Sequence, residues 1–187
     1  SALETSDFPF LGSDCSLAPF PELQTSIGHA FEALGLPWFG ADGTLTVAAL
    51  VTQALRRARL RRTGFSGLML PVLEDSVLAQ RAAEGRLTLR DLLLYSAVCG
   101  TGLDVCPLPG DVTIEQLAAI LLDVGTLAVV LDKPLTARLM PIPGGRVGDP
   151  VEHEFAYFAP SRIMPVTGTG LSGTLAASRT SILASPI

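Results

Sequence analysis

The sequence has 187 residues, of which 48% are hydrophobic and 17% are charged, and its formal net charge is −5 at pH 7. We expect one domain, because this length and apolar content suffice for a buried core and exclude a disordered chain. The negative charge gives no general attraction for nucleic acid. The longest apolar stretch, residues 117–131, is shorter than the roughly 20 residues of a membrane span, so we expect no membrane partner.

Cysteine usage and the chain start predict a cytoplasmic protein. Cys15, Cys99 and Cys106 are an odd and scattered set, which fits neither a disulfide framework nor a zinc site and indicates reduced thiols. No charged region followed by an apolar one opens the chain, so no signal peptide is expected. The arginines between Arg56 and Arg62 have no aromatic residues among them, which favours a solvated helix end over a nucleic-acid patch.

The predicted elements of the first half alternate between strands and helices. A strand over 10–16 precedes a helix over 22–34, and a second helix runs from about 44 to 59 with Asp42 or Thr44 as its N-cap. A second strand covers 63–72. Glu74 and Asp75 follow it and place acidic charge in the first turn of another helix.

The second half contains two capping boxes, one starting at Thr88 and one at Thr113, which predict helices ending near 98 and 131. We expect the helix over 113–131 to be the most completely buried element, within the domain or at a contact. Short strands are predicted over 103–108 and 136–142, and a half-exposed strand over 151–158 could form a hairpin with the latter. Residues 1–166 would form a single α/β domain, and residues 167–187 a loosely structured tail.

Strands that alternate with helices predict parallel pairing, in an open sheet or in a closed barrel. Several segments together resemble the domain of unknown function 711 family over about residues 8–166. They are Asp14 to Pro19, Gly43-Thr44, Gly64 to Gly67 with Pro71 and Glu74-Asp75, Ala97 to Cys99, Gly102 to Asp104, Pro109 to Asp111, Lys133, Thr136 to Arg138, Pro141 to Gly144 and Val147 to Asp149. Their order and spacing carry the resemblance.

The resemblance implies part of an α/β barrel of the pyruvate-formate-lyase-like fold, to which this chain would supply the C-terminal part. The family's N-terminal half would then come from a companion chain, or the chain would be a processed product or a shortened relative. We therefore predict that the chain is not a functional monomer. It would bury an interface on the order of 2,000 Å² with a companion chain or a second copy.

Three residues are candidates for catalysis. Asp104 and Asp14 are acidic residues next to predicted strand ends, where they could act as acid or base. Cys99 could act as a nucleophile, but its place at a helix C-terminus favours a buried, slowly reacting thiol. We expect Asp14, Asp42, Asp104 and Arg138 to share one concave region, because loops at the carboxyl ends of parallel strands meet at one edge.

Other residues are candidates for binding. Lys133 and Arg138 could hold a carboxylate or phosphate, although an ion pair with a nearby acid is an equal alternative for both. Gly40, Gly43, Gly64 and Gly67 could let backbone N–H groups approach an anion, or they could serve tight packing against a strand. Of this loop set, Gly43, Thr44, Ser66 and Gly67 are the candidates for substrate binding. The candidate metal ligands, for Mg²⁺ or Ca²⁺, are Asp42, Glu74 and Asp75, each with helix capping as the alternative.

The sequence therefore predicts an enzyme that acts on a small anionic metabolite at the mouth of the barrel, with an unknown reaction. A noncatalytic ligand-binding or regulatory module, and a structural subunit that completes a barrel with a partner chain, are the alternatives.

Overall fold

The computed structural model describes residues 9–173 of the chain. Its helices are α1 (Ile27–Ala33), α2 (Thr44–Arg57), α3 (Ser76–Ala83), α4 (Leu89–Ser96) and α5 (Ile114–Val130), with a 3-10 turn at Leu23–Thr25. Its strands are β1 (Gly102–Pro109), β2 (Thr136–Ile142), β3 (Pro150–Val151) and β4 (Ser161–Arg162). The predicted α/β class is confirmed.

The two predicted capping boxes are present. The Thr88 side chain accepts the Asp91 amide at the start of α4, and Thr113 accepts the Gln116 amide at the start of α5, each with the reciprocal bond. The predicted N-cap of α2 is wrong. Gly43 occupies that position with a φ of 99°, while the Thr44 hydroxyl donates to the Ala41 carbonyl at 2.7 Å instead.

The strand-like segments lie side by side in the order of the chain. A segment around residues 13–17 forms parallel bridges with one around 62–68, at Ser13 with Arg62 and at Leu17 with Leu68. The chain directly after this segment bonds to β1, since the Val72 amide donates to the Asp104 carbonyl at 2.9 Å. Strands β1 and β2 pair in parallel along their length. The chain thus forms a parallel arrangement with helices in each crossover.

The hairpin predicted between residues 136–142 and 151–158 is wrong. Strand β2 pairs with β1, and β3 pairs with β4 in antiparallel fashion. Residues 152–158 form no strand, because their aromatic side chains pack on one another. Phe155 contacts Phe158 with ring centroids 4.9 Å apart, and the Phe158 amide closes a turn onto the Phe155 carbonyl.

The core lies between α3, α4, β1 and the segment before α3. All eight residues of β1 are buried, which fits a strand covered on both faces. Fully buried side chains come from every part of this region: Leu68, Leu73, Leu78, Leu92 and Leu103. Phe39 joins them from the loop before α2. These contacts hold the strand-like segments in register and so fix the loops that precede them.

Helix α5 is the main departure from expectation. We predicted it to be the most completely buried element, yet Val124 is its only buried residue. Within the described residues α5 contacts α4, β2 and the chain around Gly168 and Gly170, and its outermost apolar side chains stay exposed. Residues 9–173 do not form a closed barrel. No helix among them is long and apolar enough to span a membrane, and residues 174–187 of the predicted tail lie outside the described part.

Candidate functional site

A cavity of about 370 Å³ lies at the amino ends of the parallel segments. One side is formed by residues 64–67, which lie between the two bridges of the second segment, and by residues 99–100 and 133–134, which directly precede β1 and β2. The C-terminal half of α2 forms the other side. We call it the Lys133 cavity. Its polar and reactive side chains are those of Thr52, Arg56, Arg62, Ser66, Cys99 and Lys133. The volume is within the range of small-molecule sites.

Lys133 is the best-placed cation of this cavity. Its Nζ donates to the carbonyl of Ser96 at 2.6 Å, which fixes the half-buried side chain and leaves donors for another partner. Burial lowers the pKa of Lys133, and the charge of Arg56 lowers it further, whereas Cys99 acts in the opposite direction. A bound anion would relieve both effects that disfavour the charged ammonium.

Thr52 contributes an unpaired hydroxyl. The side chain is 9% exposed, and its Oγ1 is buried without a hydrogen-bond partner among the described residues. A buried hydroxyl without a partner costs about 1–3 kcal/mol, and a hydrogen bond to a molecule in the cavity would remove that cost. On the same wall, Arg62 donates to the Leu55 carbonyl at 2.9 Å and fixes the end of α2. The wall of the cavity therefore carries cations and, buried within it, an unpaired hydroxyl.

Asp14 organises the loop that borders this cavity. Its carboxylate accepts the amides of Ser16 and Ser66 at 2.9 Å, the amide of Phe65 at 3.1 Å and the Ser16 hydroxyl at 2.6 Å. The hydrogen bond from the Ser16 side chain and those from the backbone amides lower the pKa of Asp14 to about 2. Asp14 is thus a permanently ionised loop organiser at neutral pH, and it lacks the pKa of an acid–base catalyst.

Asp104 and Arg138 are in direct contact, away from the Lys133 cavity. The Arg138 Nε donates to the buried carboxylate of Asp104, and the Arg138 Nη2 lies 3.0 Å from Glu74 Oε1. The hydrogen bond with Asp104 raises the pKa of Arg138. Next to Asp104, Val105 has a φ of 49°, at a register shift of β1. The ion-pair alternative for Arg138 is therefore the one observed, and two carboxylates occupy the guanidinium that we predicted to bind substrate.

Asp75, a candidate metal ligand, serves as a double helix cap. Its carboxylate accepts the amides of Val77 and Leu78 at the start of α3, and also the amides of Ile27 and Gly28 at the start of α1. The Ser26 hydroxyl adds a fifth bond at 2.6 Å. With these bonds in place the side chain has little capacity left for a cation.

The other predicted metal ligands do not join Asp75. Asp42 is exposed before α2, and Glu74 is paired with Arg138. Among the described residues no three acidic, histidine or cysteine side chains form a group that could hold a metal ion. The donors proposed for Mg²⁺ or Ca²⁺ therefore do not fit such a site.

The remaining predicted residues divide between two places. Ser66, Gly67, Cys99 and Lys133 all line the Lys133 cavity, whereas Gly43 and Thr44 lie at the far end of α2. Thr44 is fully buried and bonds within its own loop, so it has no access to a ligand. Cys99 is 1% exposed, which confirms the expected burial of this thiol.

The predicted clustering of acids with Arg138 at the carboxyl ends of the strands is replaced by this cavity at their amino ends. Of the four residues expected to share one concave region, only Asp104 and Arg138 are in contact. Thr52, Arg56 and Arg62 were missed as cavity residues. The run of arginines between Arg56 and Arg62 was the sequence feature that could have indicated them. We interpreted it as a solvated helix end, and that interpretation leaves out a loop that folds back beside the helix.

A chain with parallel segments in chain order and a basic cavity beside them belongs to the α/β class, and comparison with known proteins gives its family. Residues 1–154 match the family described as Uncharacterised ACR (DUF711). The chain belongs to this family.

Several relatives carry the name UPF0210 protein. The chain is 46% identical over 145 residues to a UPF0210 protein of Pyrobaculum aerophilum, which covers 75% of this chain and 32% of that protein. It is 37% identical over 166 residues to one of Oleidesulfovibrio alaskensis (87% and 36%). It is 34% identical over 179 residues to one of Listeria innocua (94% and 40%). The chain thus spans about a third of the length of these relatives.

Proposed function

We propose that this chain provides a binding site for a small anionic metabolite in the Lys133 cavity. The observation that carries the proposal is the unpaired, buried hydroxyl of Thr52 beside the same cavity as the Lys133 ammonium. Arg56 and Arg62 add positive charge at the rim of a chain whose net charge is negative. A carboxylate or phosphate would accept hydrogen bonds from the hydroxyl and from the cations.

The geometry favours binding over acid–base catalysis. Asp14 has a pKa of about 2, which is far from the range that an acid–base catalyst needs near neutral pH. The buried Asp104 carboxylate already accepts a hydrogen bond from Arg138 and does not line the Lys133 cavity. A noncatalytic or regulatory ligand site needs only the cations and the hydroxyl, which the cavity supplies.

An enzyme acting on the same metabolite is the second candidate. Cys99 lines the cavity together with Lys133, so that a thiol and a cation border the same ligand space. A covalent adduct on Cys99, found by native mass spectrometry of protein purified from its source, would favour this candidate. A noncovalently retained anion would favour the binding role.

We also propose that the chain forms part of a pyruvate-formate-lyase-like α/β barrel and supplies its C-terminal part. Parallel segments that neighbour one another in chain order support this, because a barrel winds its strands in that order. The relatives' greater length supports it as well, since about two thirds of their sequence would be available to close the barrel.

Calorimetric titration with inorganic phosphate and with oxalate tests the binding site. We take whichever of the two anions binds the parent chain more tightly. We expect Lys133→Met to lower the affinity for that anion at least tenfold and Thr52→Val to lower it about tenfold, because a hydrogen bond to a charged group contributes about 1.5–3 kcal/mol. Arg146→Met is the matched control, since Arg146 lines a different cavity beside Gly110 and Asp111. Equal losses for Arg146→Met and Lys133→Met, or no binding of either probe, would contradict the proposal.

A further inference from the structure

Helix α5 carries an apolar stripe that faces solvent. At about 100° of rotation per residue, six of its positions fall within roughly 100° of one another around the helix axis. None of the six is polar: Ile114, Ala118, Leu121, Leu122, Gly125 and Val129. All six are exposed, from 81% at Ile114 to 43% at Val129 among the large side chains. We call these residues the α5 stripe.

The fold described here does not use this stripe. Helix α5 packs on the core through a different side, with Leu117 and Ile120 half-buried and Val124 buried. A helix on the surface of a finished domain carries polar residues on its outer side. A contiguous apolar patch of this kind is typical of an interaction surface.

The strand that follows α5 is also incomplete on one side. Within residues 9–173, β2 pairs with β1 and with no second strand. Its seven residues present an unpaired edge, which is the feature that parallel sheets normally cover with a further strand. The α5 stripe and the β2 edge belong to successive elements that contact each other.

We propose that the α5 stripe is the docking surface for the part of the family sequence that this chain does not match, on the same polypeptide or on a separate one. That part presents an apolar helix to α5 and a strand to the free edge of β2. Gly125 at the middle of the stripe has open space where a Cβ would lie, so a partner helix can approach the α5 backbone closely.

The lengths of the relatives favour this occupant. The chain covers 32% of the Pyrobaculum aerophilum protein and 40% of the Listeria innocua protein, so more than half of each must pack somewhere. A strand and a helix from that sequence, placed beside β2 where a barrel has to close, would cover β2 and α5 together. A second copy of this chain could cover the stripe but would leave that additional family sequence without a role here.

The test joins this chain to the unmatched portion of the Pyrobaculum aerophilum protein in one polypeptide and compares two substitutions. Leu121→Lys places a charge in the stripe. Leu50→Lys is the control, because Leu50 is also an exposed helical leucine, 60% exposed against 50% for Leu121. We expect Leu121→Lys to lower the melting temperature of the joined protein by about 5 °C or more and Leu50→Lys to change it by less than about 2 °C.

The same pair in the 187-residue chain alone completes the test. There both substitutions should have equally small effects on the melting temperature, and light scattering should show no dimer. Equal effects of the two substitutions in the joined protein would overturn the proposal. A dimer of the isolated chain that Leu121→Lys dissociates and Leu50→Lys does not would also overturn it, since the stripe would then belong to a second copy.

Discussion

Helices α4 and α5 begin with the same local device but have different surroundings. Each starts at a threonine whose side chain and N3 partner form a capping box. In α4 four of eight residues are buried, among them Leu92 and Tyr95, whereas in α5 one of seventeen is buried. The local sequence determines where a helix begins, but its burial depends on what the rest of the chain brings against it.

The region of α3, α4 and β1 is complete in itself. Leu78, Leu92 and Leu103 are almost fully buried there, and Asp75 ties α1 to α3 through hydrogen bonds at both helix starts. The region of α5 and β2 exposes apolar side chains and a strand edge. Substitutions of similar chemistry should therefore have large effects in the first region and small effects in the second.

The largest effect is expected at Asp75. Asp75→Ala removes five hydrogen bonds and leaves buried donors of two helices unpaired, so we expect a loss of about 3–5 kcal/mol in the free energy of unfolding. Asp91→Ala, which removes the acidic partner of one capping box, should cost about 1 kcal/mol. Urea denaturation measures both. Equal losses would show that Asp75 does not join the two helices.

The next effect compares two helical leucines directly. Leu92 is 1% exposed in α4, and Leu121 is half exposed in α5. Because both changes are Leu→Ala in a helix, helix propensity cancels and burial remains. We expect Leu92→Ala to cost about 2–5 kcal/mol and Leu121→Ala less than about 1 kcal/mol in the isolated chain. If the two variants had the same denaturation midpoint in urea, the contrast between the regions would be wrong.

The same contrast explains which sequence predictions succeeded. Strands β1 and β2 and the starts of α4 and α5 follow from apolar runs and capping spacing, which are local signals. The burial of α5 was predicted from its hydrophobicity alone. That signal cannot distinguish a core helix from one whose partner lies on another part of the family sequence.

The candidate site was predictable in part for a similar reason. Lys133, Cys99, Ser66 and Gly67 were chosen because they lie in loops next to strands, and they do share one cavity. Asp75 and Arg138 were chosen by the same rule but are held in caps and ion pairs, because burial of a charge requires nearby partners. Sequence places a charged residue in a loop, but only the packed fold determines whether its charge is already satisfied.

The smallest expected effect concerns Asp14, in the surface loop beside the Lys133 cavity. Its pKa is lowered from an ordinary 3.8 to about 2, because four hydrogen bonds stabilise the carboxylate. A carboxyl group with a lower pKa in the folded chain stabilises the fold above the unfolded pKa. That stabilisation is lost as the pH falls from about 4 to about 2, because protonation then removes acceptors from the Ser16 and Ser66 amides.

The free energy of unfolding should therefore fall less steeply with pH in Asp14→Asn than in the parent chain, and only within that interval. The asparagine keeps one acceptor oxygen but cannot titrate, so the difference isolates the ionisation of this group. A carbon-13 titration of the Asp14 carboxyl should give a midpoint near 2. A midpoint near 3.8, together with the same pH dependence of the free energy of unfolding in both proteins, would show that the loop of residues 64–66 does not depend on the Asp14 charge. The ordered wall of the Lys133 cavity would then need another cause.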